Sequence, residues 1–227
     1  MDPEMQGIFD RADELTQELI REYDACAQQG MVSERAKNLF HEVMVKIMSS
    51  LDFAMNRIFD KYTSHADEKK TRIGKNVYFT IFDDESEFKE KIDKYGLSPL
   101  AQSNPKLYAK LWQSQPFSTG RKDFLWLKEL SNLGKHVRLA RHECQLQEGK
   151  QVTLSDGSMH VYVGKGTNRY DRNGNLVDPS TYGIVQDILW PNIEVYCKSG
   201  TITMPHLWCL SLCKVIRCYI EEVLPLI

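Results

Sequence analysis

The chain has 227 residues, of which 42% are hydrophobic and 26% are charged, and its formal net charge is -2. This is the composition of an ordinary globular protein with a buried core, and it excludes a largely disordered or low-complexity chain. A slightly acidic balance gives no general attraction to phosphate backbones, so RNA binding is unsupported by the net charge and would need a local basic patch.

The two ends of the sequence argue against export and against a membrane span. Residues 1–24 are acidic and amphipathic, whereas a secretory signal has a basic start followed by an apolar stretch. Residues 204–227 are the most apolar part of the chain, but lysine, arginine and glutamate side chains interrupt them. We therefore expect a cytoplasmic protein with no membrane contact.

The cysteines do not indicate a disulfide framework or a metal site. Six cysteines without regular spacing favour free thiols in a cytoplasmic protein. His206, Cys209 and Cys213 would share one face of a helix, and such a face could present three ligands to zinc. Apolar neighbours and the lack of a second ligand pair favour packing instead. The sequence therefore predicts no metal and no cofactor.

Two long helices are predicted at the start of the chain. Apolar residues recur at helical spacing over residues 7–29, and Gly30 ends the pattern. A second pattern of this kind covers residues 34–62, where Ser33 is suited to cap the first turn. Both helices present a broad apolar face, which predicts that they pack against each other or against further helices.

The middle of the chain is predicted to hold one strand and several shorter helices. Residues 77–82, VYFTIF, are rich in β-branched and aromatic residues, which is typical of a strand. The segment 83–96 has acidic residues at its start and Gly at its end, as short helices often do. Further helices are predicted to begin near Pro105 and at Asp123, and the second of these covers residues 123–142.

The last third of the chain changes from helical periodicity to alternation. Residues 150–202 alternate polar and apolar side chains and contain two hairpin-type turns, Asp156–Gly157 and Asn173–Gly174. Residues 205–223 then predict a C-terminal helix. The predicted fold class is α+β and mainly α, a helical bundle with a β-rich region between the penultimate and C-terminal helices.

We expect a single folding unit with three parts. They are a helical core with the short strand (1–145), the β-rich region (146–202) and the C-terminal helix packing on the core (203–227).

The predicted helix over residues 123–142 carries polar side chains that could form a site. On a helical wheel, Asn132 and His136 lie one turn apart, between an apolar arc and a solvated strip. A partly buried Asn or His needs hydrogen-bond partners, so we expect Asp52 on the second long helix to contact His136 or Lys135. The predicted solvated strip consists of Lys128, Ser131, Lys135, Arg138 and His142.

Four short motifs resemble a broad group of uncharacterised prokaryotic proteins. The resemblance covers roughly residues 39–142 and lies in the order of the motifs, since each is weak alone. The motifs are SSLDF (49–53), YFTIFDDESEF (78–88), QPF (115–117) and LKELSNLGKHVRL (127–139). The group typically has Pro in its strand, Asp before its Lys-His pair and Arg directly after the His. This chain has Thr80, Gly134 and Val137 at those positions.

The group is somewhat similar to the HEPN domains (higher eukaryotes and prokaryotes nucleotide-binding), which implies a mainly helical fold. Ribonuclease members of that superfamily use an Arg followed a few residues later by a His. Arg35 and His41 fit this spacing, but about one such pair is expected by chance in a chain of this composition.

Two functions stay open on the sequence. The first is a non-enzymatic binding or interaction module, in which the polar cluster is structural and residues 150–202 contact a protein partner, a second copy or a ligand. The alternative is a HEPN-like, metal-independent ribonuclease, acting as a toxin or defence component, with His136, Asn132 and Lys135 as catalytic residues.

Overall fold

The computed structural model describes residues 2–63, 77–120, 122–133, 140–154, 159–163, 169–170, 176–177 and 183–227. From residue 146 to residue 191 the structure describes the backbone of the strands and no side chains. Within these residues the α-helices are α1 (Pro3–Gln29), α2 (Glu34–Tyr62), α3 (Glu85–Lys94), α4 (Leu100–Ser103), α5 (Pro105–Gln113), α6 (Pro116–Thr119), α7 (Lys122–Leu133) and α8 (Pro205–Val223). A 3-10 turn over Leu224–Leu226 follows α8.

The ends of the two long helices follow from local chemistry. The side chain of Asp2 accepts a hydrogen bond from the Glu4 amide at the start of α1, and Ser33 accepts one from the Ala36 amide at the start of α2. Gly30 ends α1 in the left-handed conformation, with φ of 68°, which a residue with a side chain rarely adopts. The predicted position of the second helix is confirmed, whereas the first begins at Pro3, four residues before its predicted start.

The core lies between the long helices and α8. Helix α1 packs against α2 and α8, and α2 also packs against α7 and α8. The largest fully buried side chains come mainly from α1 and α2, among them Phe9, Tyr23, Phe40 and Phe59. Helices α1 and α2 each bury an apolar stripe with the helical spacing that the sequence pattern predicts. No helix in the described part of the chain is long and apolar enough to cross a bilayer.

The β-structure lies between α7 and α8, and the predicted fold class is confirmed. An antiparallel sheet has the order β2-β1-β5-β6, and a separate pair joins β3 and β4. The strands are β1 (Arg141–Leu154), β2 (Met159–Val163), β3 (Arg169–Tyr170), β4 (Leu176–Val177), β5 (Gly183–Cys197) and β6 (Gly200–Thr203). Strand β5 packs against α1, α7 and α8. The predicted turns at Asp156–Gly157 and Asn173–Gly174 lie outside the described residues.

Two predicted elements differ from those in the structure. Residues 77–82 are not assigned to a strand, although their side chains alternate between buried and exposed positions. The helix predicted over residues 123–142 does not reach its predicted end, because Arg141 and His142 belong to β1 and pair with Tyr196 and Val195 of β5. A leucine-bearing helical pattern continued past the end of α7, and β-pairing overrode it at residues 141 and 142.

His142 attaches the start of the sheet to the two long helices. Its side chain is buried, with the ring 5.2 Å from that of Phe40 on α2 and 6.2 Å from that of Tyr23 on α1. Nδ1 lies 2.8 Å from the Ala140 carbonyl and must carry the proton, because a carbonyl only accepts. Nε2 is therefore unprotonated, and it is buried without a hydrogen-bond partner among the described residues. Burial lowers the pKa of His142 from 6.5 to about 4.

The buried imidazole predicts a loss of stability in mild acid. The unfolded chain binds a proton at His142 below pH 6.5, whereas the folded chain does so only below about 4. Stability should therefore fall as the pH drops through this window and should change no further through this group below it. At about 1.4 kcal/mol per pKa unit, the loss between pH 7 and pH 4 is about 3 kcal/mol.

Urea unfolding across this pH range measures the effect. In His142→Asn the side-chain amide can still donate to the Ala140 carbonyl, but the titrating group is gone. We expect the variant to lose the part of the pH dependence that His142 contributes. Parallel curves of unfolding free energy against pH for the two proteins would contradict this assignment.

Candidate functional site

Residues 77–82 form an extended segment whose backbone groups bind side chains instead of a neighbouring strand. The Phe79 amide donates to Oδ1 of Asp52 on α2 at 2.8 Å. The Phe82 amide donates to Oε1 of Gln115 at 2.9 Å, and the Ile81 carbonyl accepts from Nζ of Lys128 on α7 at 2.8 Å. Three separate parts of the helical body therefore meet at this one segment.

Two further side chains complete the attachment of the 77–82 segment. Asn56, one turn beyond Asp52 on α2, donates to the Val77 carbonyl at 2.8 Å. The Tyr95 hydroxyl accepts from the Tyr78 amide and donates to the Tyr78 carbonyl, both at 3.2 Å. Because these backbone amides and carbonyls of residues 77–82 have hydrogen-bond partners, the segment can bury alternate side chains without belonging to a sheet.

The buried side chains of the segment explain why it needs so many partners. Val77, Phe79 and Ile81 are buried, whereas Tyr78 is 47% exposed. This period of two is the side-chain pattern of a strand. The strand was predicted from the β-branched and aromatic residues of the segment, and its backbone hydrogen bonds come from side chains and not from a described neighbouring strand.

A cleft of about 540 Å³ lies beside this segment, between α7, the start of α3 and the turn joining β5 to β6. Asn132, one of the predicted site residues, lies in the wall of this cleft. Its lining consists of Asp83, Leu125, Lys128, Glu129, Asn132, Leu133, Lys198 and Ser199.

Two charged residues of this cleft have structural partners. Lys128 binds the Ile81 carbonyl, and its ammonium group lies 5.5 Å from the centre of the Phe82 ring. Glu129 accepts hydrogen bonds from the Ser199 amide at 3.2 Å, from the Ser199 hydroxyl at 2.5 Å and from the Lys198 amide. Consecutive residues of α7 thus hold the 77–82 segment and the β5–β6 turn, as expected for side chains that point about 100° apart on a helix.

The predicted catalytic residues are described only in part. Asn132 is exposed at the cleft, and its amide donates to the Lys128 carbonyl of its own helix at 2.8 Å. The prediction that Asn132 lies partly buried is therefore wrong. His136 and Lys135 lie outside the described residues, so their expected contact with Asp52 stays a prediction.

The predicted solvated strip is wrong at three of its positions. Ser131 is buried and donates to the Lys128 carbonyl at 3.2 Å, and His142 is buried in β1. Lys128 was expected in the strip and instead reaches the 77–82 segment. Lys135 and Arg138 lie outside the described residues.

Arg35 and His41, the pair with the ribonuclease-type spacing, each contact a neighbouring helix. Nδ1 of His41 lies 3.3 Å from the Leu130 carbonyl, and Arg35 forms ion pairs with Glu18 and Glu22. These contacts join α2 to α7 and to α1.

Two of the three cysteines in the C-terminal helix are packed side chains, and the third, Cys218, is exposed. Cys209 and Cys213 are buried, and burial raises the pKa of the Cys213 thiol to about 11. The pKa of the Cys209 thiol is raised for the same reason. A metal would have to bind thiolates, which these surroundings disfavour. In the described part of the chain no three His, Cys, Asp or Glu residues are arranged to hold a metal ion.

Four of the residues that hold this site were not predicted to have a role. Gln115 was noted only as part of a motif, and Asn56, Tyr95 and Glu129 were not singled out. Periodicity places a side chain on a face of a helix but does not identify a distant backbone partner. One feature of the sequence could have indicated these residues. A polar residue within an otherwise apolar pattern is expected to be buried and therefore to need a hydrogen-bond partner.

Gln115 should contribute strongly to stability. It is 1% exposed, and Gln115→Ala would leave the Phe82 amide without its acceptor and would open a small cavity. We expect a loss of about 2–4 kcal/mol in the free energy of unfolding, measured by urea denaturation. Gln113→Ala is the matched control, because Gln113 is exposed two residues earlier. It should change stability by no more than about 0.5 kcal/mol. Equal effects of the two substitutions would contradict the structural role of Gln115.

Comparison with known proteins does not assign the chain to a family. No known protein family, curated protein or solved structure matches the chain. The resemblance of the four motifs to a prokaryotic group, and through it to HEPN domains, therefore stays a prediction. Three described residues of these motifs, Asp52, Gln115 and Lys128, each form a hydrogen bond to the 77–82 segment.

Proposed function

We propose that this chain is a non-enzymatic binding module, in which the helical body carries a sheet that contacts a protein partner. The observation that carries the proposal is the charge of the 540 Å³ cleft beside α7. Among its described lining residues, two acidic ones, Asp83 and Glu129, face two basic ones, Lys128 and Lys198. A ribonuclease site needs an excess of basic groups for the phosphate and for the negative charge of the transition state.

The charged groups of the cleft are also poorly placed to act on a substrate. Lys128 and Glu129 hold the 77–82 segment and the β5–β6 turn. Moving either toward a substrate would break hydrogen bonds to the backbone, each worth about 1.5–3 kcal/mol for a charged group. Asn132 is exposed but bonded to its own helix. These contacts favour a structural role for the described motif residues.

The sheet offers the better surface for binding. Strands β1 and β5 pair from Arg141 with Tyr196 to Leu154 with Gly183. A ribbon of this register is about 45 Å long at about 3.4 Å per residue. His142, Ile193 and Val195 bury its base against the helices. We call the outer part the β-arm: residues 146–154 of β1, all of β2 and residues 183–191 of β5.

An edge of the β-arm is suited to take up an extended segment of another protein. Strand β2 has the sequence MHVYV and forms one edge of the sheet among the described strands. Its extensive contacts are with β1. Edge strands expose backbone donors and acceptors, and partner proteins commonly add a strand to them. The proposed partner is therefore a protein that contributes an extended, β-forming segment.

Shortening the β-arm should remove binding and keep the fold. Replacing residues 148–189 by Asn-Gly would make Gln147 and Trp190, which pair in the sheet, the closing pair of a tight hairpin. We expect the helical circular dichroism and near-ultraviolet spectra to persist, because the buried base of the sheet is retained. A partner found by crosslinking in cells, then purified, should bind the full chain by calorimetry and should bind the shortened chain at least about a hundredfold more weakly.

Two results would contradict the proposal. One is equal affinity of the purified partner for the full and shortened chains. The other is cleavage of single-stranded RNA, or growth inhibition on expression, that is lost in His136→Ala and Asn132→Ala while both variants stay folded. That second result would support the HEPN-like ribonuclease or toxin. Asn132→Ala is the cleaner of these variants, because the exposed Asn132 side chain bonds only within α7.

A further inference from the structure

A second cleft lies between α5 and α8 and has a volume of about 430 Å³. Its wall from α8 is apolar at Val215 and Tyr219, which are one helical turn apart, and Phe124 of α7 adds to it. A cavity of this size with apolar walls and a few polar groups at the rim is typical of sites for small organic molecules.

Tyr219 gives this cleft a wall that is apolar and held in place. Its ring contacts those of Phe79 and Phe124, with centroids 6.1 and 6.5 Å away. The Tyr219 hydroxyl is buried beside the Ser114 side chain. Because the residue as a whole remains partly exposed, the accessible part is the ring. A ring fixed in this way can pack against an apolar ligand with little loss of side-chain entropy.

The rim of the cleft carries an excess of positive charge. Lys110 is paired with Glu222 at 2.5 Å, so these two charges offset each other. Lys214, which is exposed and precedes Cys218 by one turn of α8, has no carboxylate partner within 4 Å among the described residues. An unpaired ammonium group beside an apolar wall favours a ligand that combines an apolar body with a negative charge.

We propose that the α5–α8 cleft binds a small organic anion, with its apolar body against Val215 and Tyr219 and its acidic group beside Lys214. This site is separate from the β-arm and does not depend on the proposed binding function. The acidic group is a carboxylate, sulfonate or phosphate, since each accepts hydrogen bonds from an ammonium group.

Fluorescence titration with anilinonaphthalene sulfonate tests the proposal, because this probe has an aromatic body and one negative charge. We expect saturable binding of one probe per chain. Lys214→Glu should weaken binding about tenfold or more, which corresponds to at least about 1.4 kcal/mol, whereas Lys214→Arg should retain it. Lys198→Glu makes the same charge reversal at the other cleft and should leave the affinity unchanged.

Alkylation of Cys218 gives an independent measure of where the probe binds. Cys218 is exposed and lines the cleft, so saturating probe should slow its reaction with iodoacetamide, as followed by mass spectrometry of the Cys218 peptide. Non-saturable binding, an unchanged affinity in Lys214→Glu, an equal loss in Lys198→Glu or unprotected Cys218 would each overturn the proposal. Failure of the probe to bind at millimolar concentration would overturn it as well.

Discussion

The attachment of residues 77–82 to the helical body is the constraint on which the described site depends. This segment buries Val77, Phe79 and Ile81 and has no partner strand among the described residues. A buried backbone donor or acceptor without a partner costs about 1–3 kcal/mol, so several such groups would offset the gain from burying the side chains. Asp52, Asn56, Tyr95, Gln115 and Lys128 supply the missing hydrogen bonds.

The same constraint connects the helices to the sheet. Helix α7 holds the 77–82 segment through Lys128 and the β5–β6 turn through Glu129, so its position is determined from two directions. The aromatic ring of Phe79 then contacts Tyr219 of α8, which forms a wall of the α5–α8 cleft. A change at the segment would therefore affect α7, the turn and both clefts. Polar residues of three motifs, Asp52, Gln115 and Lys128, thus hold the fourth, which contains residues 78–82.

Much of the architecture could be predicted from the sequence, because it follows from local patterns. The end of α1 and the start of α2 depend on apolar periodicity and on capping by Gly30 and Ser33, which are near in sequence to what they act on. The start of α1 was predicted four residues late, because the cap at Asp2 was not recognised. The β-branched and aromatic content of residues 77–82 was also visible. The hydrogen-bond partners of those residues were not, since the hydrogen bond from Phe82 to Gln115 spans 33 positions and that from Lys128 to Ile81 spans 47. The change from helix to strand before Arg141 likewise depends on pairing with Tyr196. The expected contact of Asp52 with His136 or Lys135 concerns residues outside the described part of the chain.

Native-state hydrogen exchange at the amides of Phe79 and Phe82 tests the central claim most directly. Both amides donate to buried or partly buried side-chain acceptors outside any sheet. The account predicts that they exchange only when the whole chain unfolds, so that their free energy of opening equals that of the slowest amides in α2. Opening of the two amides at a free energy several kcal/mol below that of α2 would mean that the segment detaches by itself. In that case the 77–82 segment would not be the constraint that holds the site together.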